Sequence, residues 1–229
     1  MNLISEPTED QLAIQEAVAR TCSQFTDEYW HDIDVSGDWP EEFTKAMADG
    51  GWLGVAMPEE VGGAGLGLTE ASIVMHTVAR SGAGFSGASA IHLNIFGPKP
   101  LEIFGSDEQR NVHLPKIISG EQKMCFAVTE PNSGLDTSNL ESRAVKTDGG
   151  YMLSGRKIWT TGAQRADKIL IIARTTPKED VAKPYLGLSL FYTDFDKVKA
   201  GAKPIPKMGR KAVECNMLYF DDYFIPEED

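Results

Sequence analysis

The feature of this sequence that most constrains its fold is a change of hydrophobic pattern near Met124. Before it, apolar residues such as Ile14, Val18 and Cys22 recur every three or four positions, which is the spacing of one helix face. After it come short β-branched or aromatic runs separated by turn residues, which are typical of strands. We therefore predict an α+β chain, with an all-helical domain over residues 1–122 followed by an antiparallel β-barrel or sandwich domain over residues 123–229.

The first half carries recognisable signals for helix starts and stops. Thr8 and Ser106 each precede a glutamine by three residues, which makes both candidate capping boxes. The glycine-rich stretch 50–67 is expected to be mainly loop. The predicted helices cover residues 8–30, 40–49, 69–80, 86–96 and 106–118.

The second half has the spacing of an antiparallel sheet. Asp148-Gly149 between two apolar runs is a strong hairpin signal, because a tight primed turn needs residues that accept positive φ values. The predicted strands are Cys125–Thr129, Arg143–Lys146, Tyr151–Ser154, Ile169–Ile172, Leu186–Tyr192, Met217–Phe220 and Phe224–Pro226.

Charge and residue types exclude several functions. A net charge of -12, from 34 acidic and 22 basic side chains, disfavours nucleic acid as a partner. Three widely spaced cysteines indicate neither a disulfide framework nor a zinc cluster, and the four histidines lack metal-ligand spacing, so no metal site is expected. No targeting segment and no run of about 18 apolar residues is present, which predicts a cytoplasmic protein without membrane association.

Two glycine motifs resemble known signatures but lack the required context. Residues 82–87 fit G-x-G-x-x-G, yet helical patterns lie on both sides instead of a βαβ unit, so a helix–helix junction is favoured over a dinucleotide site. Ser86 partly matches the nucleophile elbow G-x-S-x-G, but Ala88 replaces the last glycine and no strand precedes it.

Two polar segments at strand ends can bind a ligand. Residues 126–136 form a strand that stops at a turn with free hydroxyl and backbone N–H groups, which suits an anionic or hydrogen-bond-accepting ligand or merely caps itself. Residues 159–163 combine an indole, two hydroxyls and a glycine, which can form a wall for a flat ring or close a β-barrel.

Five segments of the chain resemble segments that occur in the same order in the acyl-CoA dehydrogenase family. The central one is Val128-Thr129-Glu130-Pro131 with Gly134 and Asp136, and the others span nearly the whole chain: Trp52–Gly65, Phe104–Lys116, Ser119–Glu121 and Gly155–Ala163. The resemblance implies an FAD-dependent enzyme that desaturates an acyl-CoA thioester at the α,β positions, with hydride transfer to flavin N5.

The resemblance assigns the flavin to a specific set of positions. Thr129 is expected to bond the pyrimidine edge of the isoalloxazine, Trp159 to flank the ring, and Thr161 to lie near N5 and O4. Glu130 is expected to serve the structure of the turn. The complete set implied for the cofactor is Phe126, Val128, Thr129, Gly134, Leu135, Trp159, Thr160 and Thr161.

One position departs from the family pattern. Leu135 stands where the family usually has serine, so a hydroxyl contact to cofactor and substrate is lost. Leu135, His92 and Phe96 are the residues implied for substrate binding. The catalytic glutamate of the family belongs to a C-terminal helical domain, so no catalytic residue is expected in this chain.

The same resemblance suggests partners and leaves alternatives open. Family members usually form homo-oligomers, dimers or tetramers, and pass electrons to an electron-transferring flavoprotein. A flavin oxidase, nitroalkane oxidase or flavin monooxygenase of the same fold would share most of these segments. A non-catalytic flavin-binding or scaffold subunit, completed by a partner chain, is the alternative from another functional class.

Overall fold

The computed structural model describes residues 6–229, which divide into two compact units. The helical unit takes the residues up to Glu121 together with Gly209–Val213. The β-unit takes Gln122–Met208 and Glu214–Asp229. The prediction of a helical domain followed by a β-domain is confirmed.

The helical unit is built from seven α-helices among the residues that the structure describes. Two short 3-10 turns, Trp52–Gly54 and Glu59–Val61, occupy the glycine-rich stretch. The helices are α1 (Glu9–Cys22), α2 (Asp27–Ser36), α3 (Glu41–Asp49), α4 (Leu68–Arg80), α5 (Gly84–Ile95), α6 (Lys99–Phe104) and α7 (Asp107–Ile118).

Capping explains where these helices begin. Thr8 and Ser106 accept hydrogen bonds from the backbone N–H of Gln11 and Gln109, at 3.2 and 3.1 Å, so both predicted capping boxes are confirmed. The single helix predicted over 8–30 is wrong. Thr26 accepts from the backbone N–H of Tyr29 at 3.3 Å and starts α2, which the continuous apolar spacing had concealed.

The helical core is apolar and rich in aromatic rings. Phe25, Tyr29, Trp30 and Phe43 pack with ring centroids 5.0–5.4 Å apart, most of them edge-on. The G-x-G-x-x-G segment, residues 82–87, covers the end of the α4–α5 connection and the first turn of α5, so the predicted helix–helix junction is confirmed. A Cβ on Gly87 would lie 2.5 Å from the Cβ of Ala83, so this glycine serves close packing.

The β-unit contains a seven-stranded mixed sheet in the described part of the chain. Its order is β1-β4-β2-β3-β7-β6, and β5 pairs with β4. The strands are β1 (Met124–Ala127), β2 (Arg143–Thr147), β3 (Gly150–Thr161), β4 (Lys168–Arg174), β5 (Leu188–Asp194), β6 (Lys203–Pro204) and β7 (Cys215–Pro226).

Most pairs of this sheet are antiparallel, including the predicted β2–β3 hairpin. Its turn is not of the predicted primed type, because Gly149 has a positive φ, 72°, but Asp148 before it does not. The exceptions involve β4. Strand β1 runs parallel to it, with Met124 opposite Lys168, and β2 pairs with it in parallel at Arg143 and Arg174. The long connection through β2 and β3 provides the crossover that a parallel pair needs. The two runs predicted near the end form one strand, β7, which pairs with nearly all of β3.

Candidate functional site

The site begins with the turn that follows β1. Glu130 and Ser133 exchange backbone hydrogen bonds of 3.0 and 3.1 Å, and the Ser133 hydroxyl donates to the Asp136 carbonyl at 2.5 Å. These bonds close the polar turn that the sequence predicted. Its remaining polar groups are therefore held in a defined arrangement.

The Glu130 carboxylate is buried beneath this turn. It accepts hydrogen bonds from the backbone N–H groups of Glu141 and Ser142, at 2.6 and 3.0 Å, and from the Lys157 ammonium at 2.9 Å. Burial raises the pKa of Glu130, but these hydrogen bonds and the Lys157 charge outweigh it and hold the pKa below its ordinary value. A carboxylate engaged in this way is a poor proton acceptor, which supports the structural role expected for Glu130.

Lys157, in β3, joins the turn to the second polar segment. Its side chain is fully buried, and its ammonium also donates to the Val128 carbonyl at 3.0 Å. The next residue, Ile158, donates its backbone N–H to the Thr129 carbonyl at 2.9 Å. The structure thus brings together the segments around Thr129 and Trp159, which are thirty positions apart in the sequence.

The second segment contains a β-bulge. Lys157 pairs with Leu218 and Thr160 pairs with Asn216, so β3 has one residue more than β7 across this interval. Within the bulge Trp159 adopts a left-handed conformation, with a φ of 64°, and its side chain is 56% exposed. A bulky residue in this region costs about 1–2 kcal/mol, and such strain is concentrated at functional sites. The bulge therefore displays an indole at an energetic cost.

The threonines after Trp159 differ in their surroundings. Thr160 is buried, its carbonyl accepts from the Asn216 side chain at 3.1 Å, and its hydroxyl has no hydrogen-bond partner in the part of the chain that is described. The Thr161 hydroxyl lies 3.3 Å from the sulfur of Cys215. Only Thr161 is partly exposed, so its side chain is the more accessible of the two.

The turn itself offers one free hydroxyl and one apolar side chain. Thr129 is half-buried, and its hydroxyl forms no hydrogen bond within residues 6–229. Leu135 is fully exposed, and a Cβ on Gly134 would meet no atom within 4 Å. Phe126 and Val128 are partly buried beside them in sequence. These features suit a ligand that combines hydrogen-bonding and flat apolar surfaces.

The two other predicted site residues belong to the helical unit. His92 and Phe96 lie one turn apart near the end of α5, with ring centroids 5.8 Å apart. Burial, with the Arg210 charge as a second cause, lowers the pKa of His92. The imidazole is therefore mainly neutral near pH 7, which is compatible with an apolar surface.

Sequence reasoning missed Lys157 and Asn216. Lysine and asparagine are mostly exposed in proteins, so neither was expected inside the sheet. Both are fully buried, and Asn216 accepts from the Gln164 side chain at 2.7 Å while it donates to Thr160. Asn216 bonds a carbonyl at the bulge, whereas Lys157 bonds the Val128 carbonyl in the turn after β1. Hydrophobic spacing indicated neither of these contacts.

Residues 6–229 contain neither a membrane-spanning helix nor a metal-binding cluster. No helix in residues 6–229 is long and apolar enough to cross a membrane. Within the same residues no group of three histidine, cysteine or acidic side chains is arranged to hold a metal ion. The three cysteines are free and buried.

Several known proteins are similar to this chain in sequence or in fold. The chain is 30% identical over its whole length to mitochondrial isovaleryl-CoA dehydrogenase of Solanum tuberosum, of which it covers 54%. It is 32% identical, over 90% of its length, to subunit CarC of the caffeyl-CoA reductase–Etf complex of Acetobacterium woodii, of which it covers 53%. The solved FAD complex of PigA superposes with a TM-score of 0.88 over 99% of this chain and 58% of that one, at 24% identity.

Family models match both units. The acyl-CoA dehydrogenase N-terminal domain matches residues 8–121, and the acyl-CoA dehydrogenase middle domain matches residues 125–223. The chain spans about half the length of the curated relatives that it matches. On this evidence, the chain belongs to the acyl-CoA dehydrogenase family.

Proposed function

We propose that this chain forms the FAD-holding part of an acyl-CoA dehydrogenase that desaturates an acyl-CoA thioester at its α,β positions. The observation that carries the proposal is the junction between the Thr129 turn and the Trp159 bulge. It places a hydroxyl without a partner among residues 6–229 and a strained, exposed indole on segments that are bonded to each other.

The donor set fits a flavin. An isoalloxazine needs hydrogen-bond donors at its polar edge and a flat apolar neighbour for its ring. The Thr129 hydroxyl and nearby turn N–H groups would serve the polar edge, Trp159 would pack against the ring, and Thr161 would contribute a hydroxyl. Phe126, Val128, Gly134, Leu135 and the Thr160 backbone complete the proposed cofactor set.

Bound FAD supplies the hydride acceptor of the desaturation. The residues of this chain prepare that acceptor: Thr129 and the turn N–H groups donate hydrogen bonds where negative charge develops, which favours reduction. Trp159 covers the ring and excludes water from it. Neither group changes its covalent state or its protonation.

We assign the base that removes the α-proton to none of these 229 residues. Glu130 directly follows Thr129, and its carboxylate already accepts hydrogen bonds from the backbone N–H groups of Glu141 and Ser142 and from the Lys157 ammonium. We propose that the base comes from the part of the protein that corresponds to the remaining half of the relatives.

On the substrate side we propose Leu135, His92 and Phe96 as contacts of the acyl-CoA. A leucine at position 135 offers the thioester arm apolar contact and a backbone N–H, without a hydroxyl. We further propose a cytoplasmic homo-oligomer that passes electrons to an electron-transferring flavoprotein. The relative from the caffeyl-CoA reductase–Etf complex supports this choice of acceptor.

The proposal is tested with the protein isolated from its own source. Anaerobic addition of acyl-CoA thioesters is expected to bleach the flavin absorbance, and turnover with an artificial electron acceptor is expected to consume no O2. Stoichiometric consumption of O2 would instead indicate an oxidase or monooxygenase. A protein that contains no flavin and binds none would contradict the proposal.

A matched pair of threonine variants tests the site. Thr129→Val is expected to weaken FAD binding by about tenfold, because it leaves an acceptor at the polar edge of the flavin without its donor, which costs about 1–3 kcal/mol. Thr147→Val, on the exposed end of β2, is the control and should bind FAD as the unsubstituted protein does. Equal affinity of all three proteins would remove Thr129 from the site.

A further inference from the structure

A pair of consecutive residues in β3 holds three consecutive residues of the turn. The Lys157 ammonium donates to the Val128 carbonyl at 3.0 Å and to the Glu130 carboxylate at 2.9 Å. The Ile158 N–H donates to the carbonyl of Thr129, the residue between them, at 2.9 Å. Thr129 is therefore fixed on both sides and through its own backbone.

The Glu130 carboxylate extends this connection to a third segment. Through Glu141 and Ser142 it reaches the residues that lead into β2. Both side chains of the ion pair are buried, with exposures of 0% for Lys157 and 4% for Glu130. Apolar residues of the same size could fill the space but would leave the Val128 carbonyl and two N–H groups without these partners.

The connection ends where the backbone is strained. Trp159, two residues after Lys157, has a φ of 64° within the bulge. A strained conformation persists only when the surrounding structure fixes it. The buried ion pair and the Ile158–Thr129 bond lie on one side of Trp159, and the bond from the Asn216 side chain to the Thr160 carbonyl lies on the other.

From these contacts we infer that Glu130 and Lys157 are positioning residues for FAD, which set Thr129 at a fixed place relative to the Trp159 indole. This inference rests on the proposed function. Neither residue touches the cofactor in this account. Their role is to keep a hydrogen-bond donor and a ring surface in register, because a site that is loose by about 1 Å loses much of its effect.

The test separates positioning from stability with a charge-neutral variant. Removal of one charge leaves the other buried and unpaired, so a single substitution can unfold the unit. The double variant Glu130→Gln with Lys157→Met keeps the volume and removes both charges. Asp194→Asn, which breaks the Lys168–Asp194 pair whose Asp194 side chain is 90% exposed, is the matched control.

Two measurements are made on each protein at its native length. One is the Kd of FAD, referred to the folded fraction. The other is amide hydrogen exchange without FAD over residues 128–133 and 158–161. In the double variant we expect Kd to rise about tenfold or more and exchange to accelerate in these two segments alone, while the control matches the unsubstituted protein.

The possible results separate a failure of this inference from a failure of the proposed function. If the double variant exchanges faster but binds FAD with unchanged Kd, the pair is structural and the inference is wrong. If exchange in both segments is unchanged, the pair does not fix them and the inference is also wrong. If the unsubstituted protein binds no FAD, the proposed function fails, and this inference fails with it.

Discussion

The two units are stabilised in different ways. In the helical unit, Thr77 is the polar residue buried among those that the structure describes. The β-unit buries many more, and these include charged side chains: Glu130, Ser133, Ser142, Lys157, Thr160, Lys168, Arg174, Thr193 and Asn216.

The difference follows from how each backbone satisfies its own polar groups. A helix pairs its N–H and C=O groups internally and needs help only at its ends, where Thr8, Thr26 and Ser106 supply it. The turns and bulges of the β-unit leave some backbone N–H and C=O groups without a partner in the sheet. Arg174, for example, donates to three carbonyls, of Leu140, Pro184 and Ser138, at 2.9–3.1 Å. Buried polar side chains therefore mark where the sheet departs from regularity, and the candidate site lies at such a place.

The largest loss of stability is expected when a buried charge of the β-unit is removed. Lys157→Met should lower the free energy of unfolding by about 3–5 kcal/mol, because it leaves the Glu130 carboxylate buried without its cation. Lys146→Met, which breaks an exposed pair with Glu227, should change the free energy of unfolding little, because solvent screens that pair. Urea unfolding measures both, and equal losses would erase the distinction between buried and exposed charges.

Low pH should remove part of the stability that the buried Glu130–Lys157 pair contributes. The folded-state pKa of Glu130 lies below its ordinary value, so the folded protein binds fewer protons than the unfolded chain between these two values. The stabilisation is complete above the unfolded pKa, about 4.3, and is lost as the pH falls through the folded pKa. Unfolding by urea between about pH 7 and pH 3 should show a steeper acid loss in the unsubstituted protein than in the Glu130→Gln, Lys157→Met double variant. Parallel curves would contradict this.

A smaller effect is expected when a polar side chain is replaced by an apolar one of similar size. Asn216→Leu removes the bonds to Thr160 and Gln164 and should cost about 1–3 kcal/mol. Met47→Leu, in the fully buried helical core, should cost less than about 1.5 kcal/mol. If Met47→Leu lowered the free energy of unfolding more than Asn216→Leu, buried polar side chains would not distinguish the β-unit from the helical unit.

The smallest change in stability is expected for Trp159→Gly, which should weaken FAD binding without lowering the stability of the fold. Trp159→Gly relieves the left-handed conformation and should gain about 1 kcal/mol of stability or leave it unchanged, while FAD affinity falls because the indole is lost. Trp52→Phe, in the helical unit, serves as a control for loss of an indole. A Trp159→Gly protein that binds FAD normally would mean that the strain at this position has no function.

The helical unit was the more predictable of the two. Caps and apolar spacing act within a few residues, so helix starts at Thr8 and Ser106 could be read directly. The break at Thr26 was missed because the apolar spacing continued across it. In the β-unit the strands and the Asp148–Gly149 turn were readable, but the parallel pairing of β1 and the bulge at Trp159 depend on contacts between distant segments. The site residues came from motif resemblance, whereas their buried support, Lys157 and Asn216, emerged only from the structure.

We propose that the Thr129 turn and the Trp159 bulge together hold FAD. Hydrogen exchange of the protein isolated from its own source, measured with FAD and after removal of FAD, tests it most directly. We expect FAD to slow exchange in residues 128–136 and 158–162 more than in the Asp148–Gly149 hairpin. Bound FAD that leaves both segments unprotected, while other parts of the chain gain protection, would contradict the account.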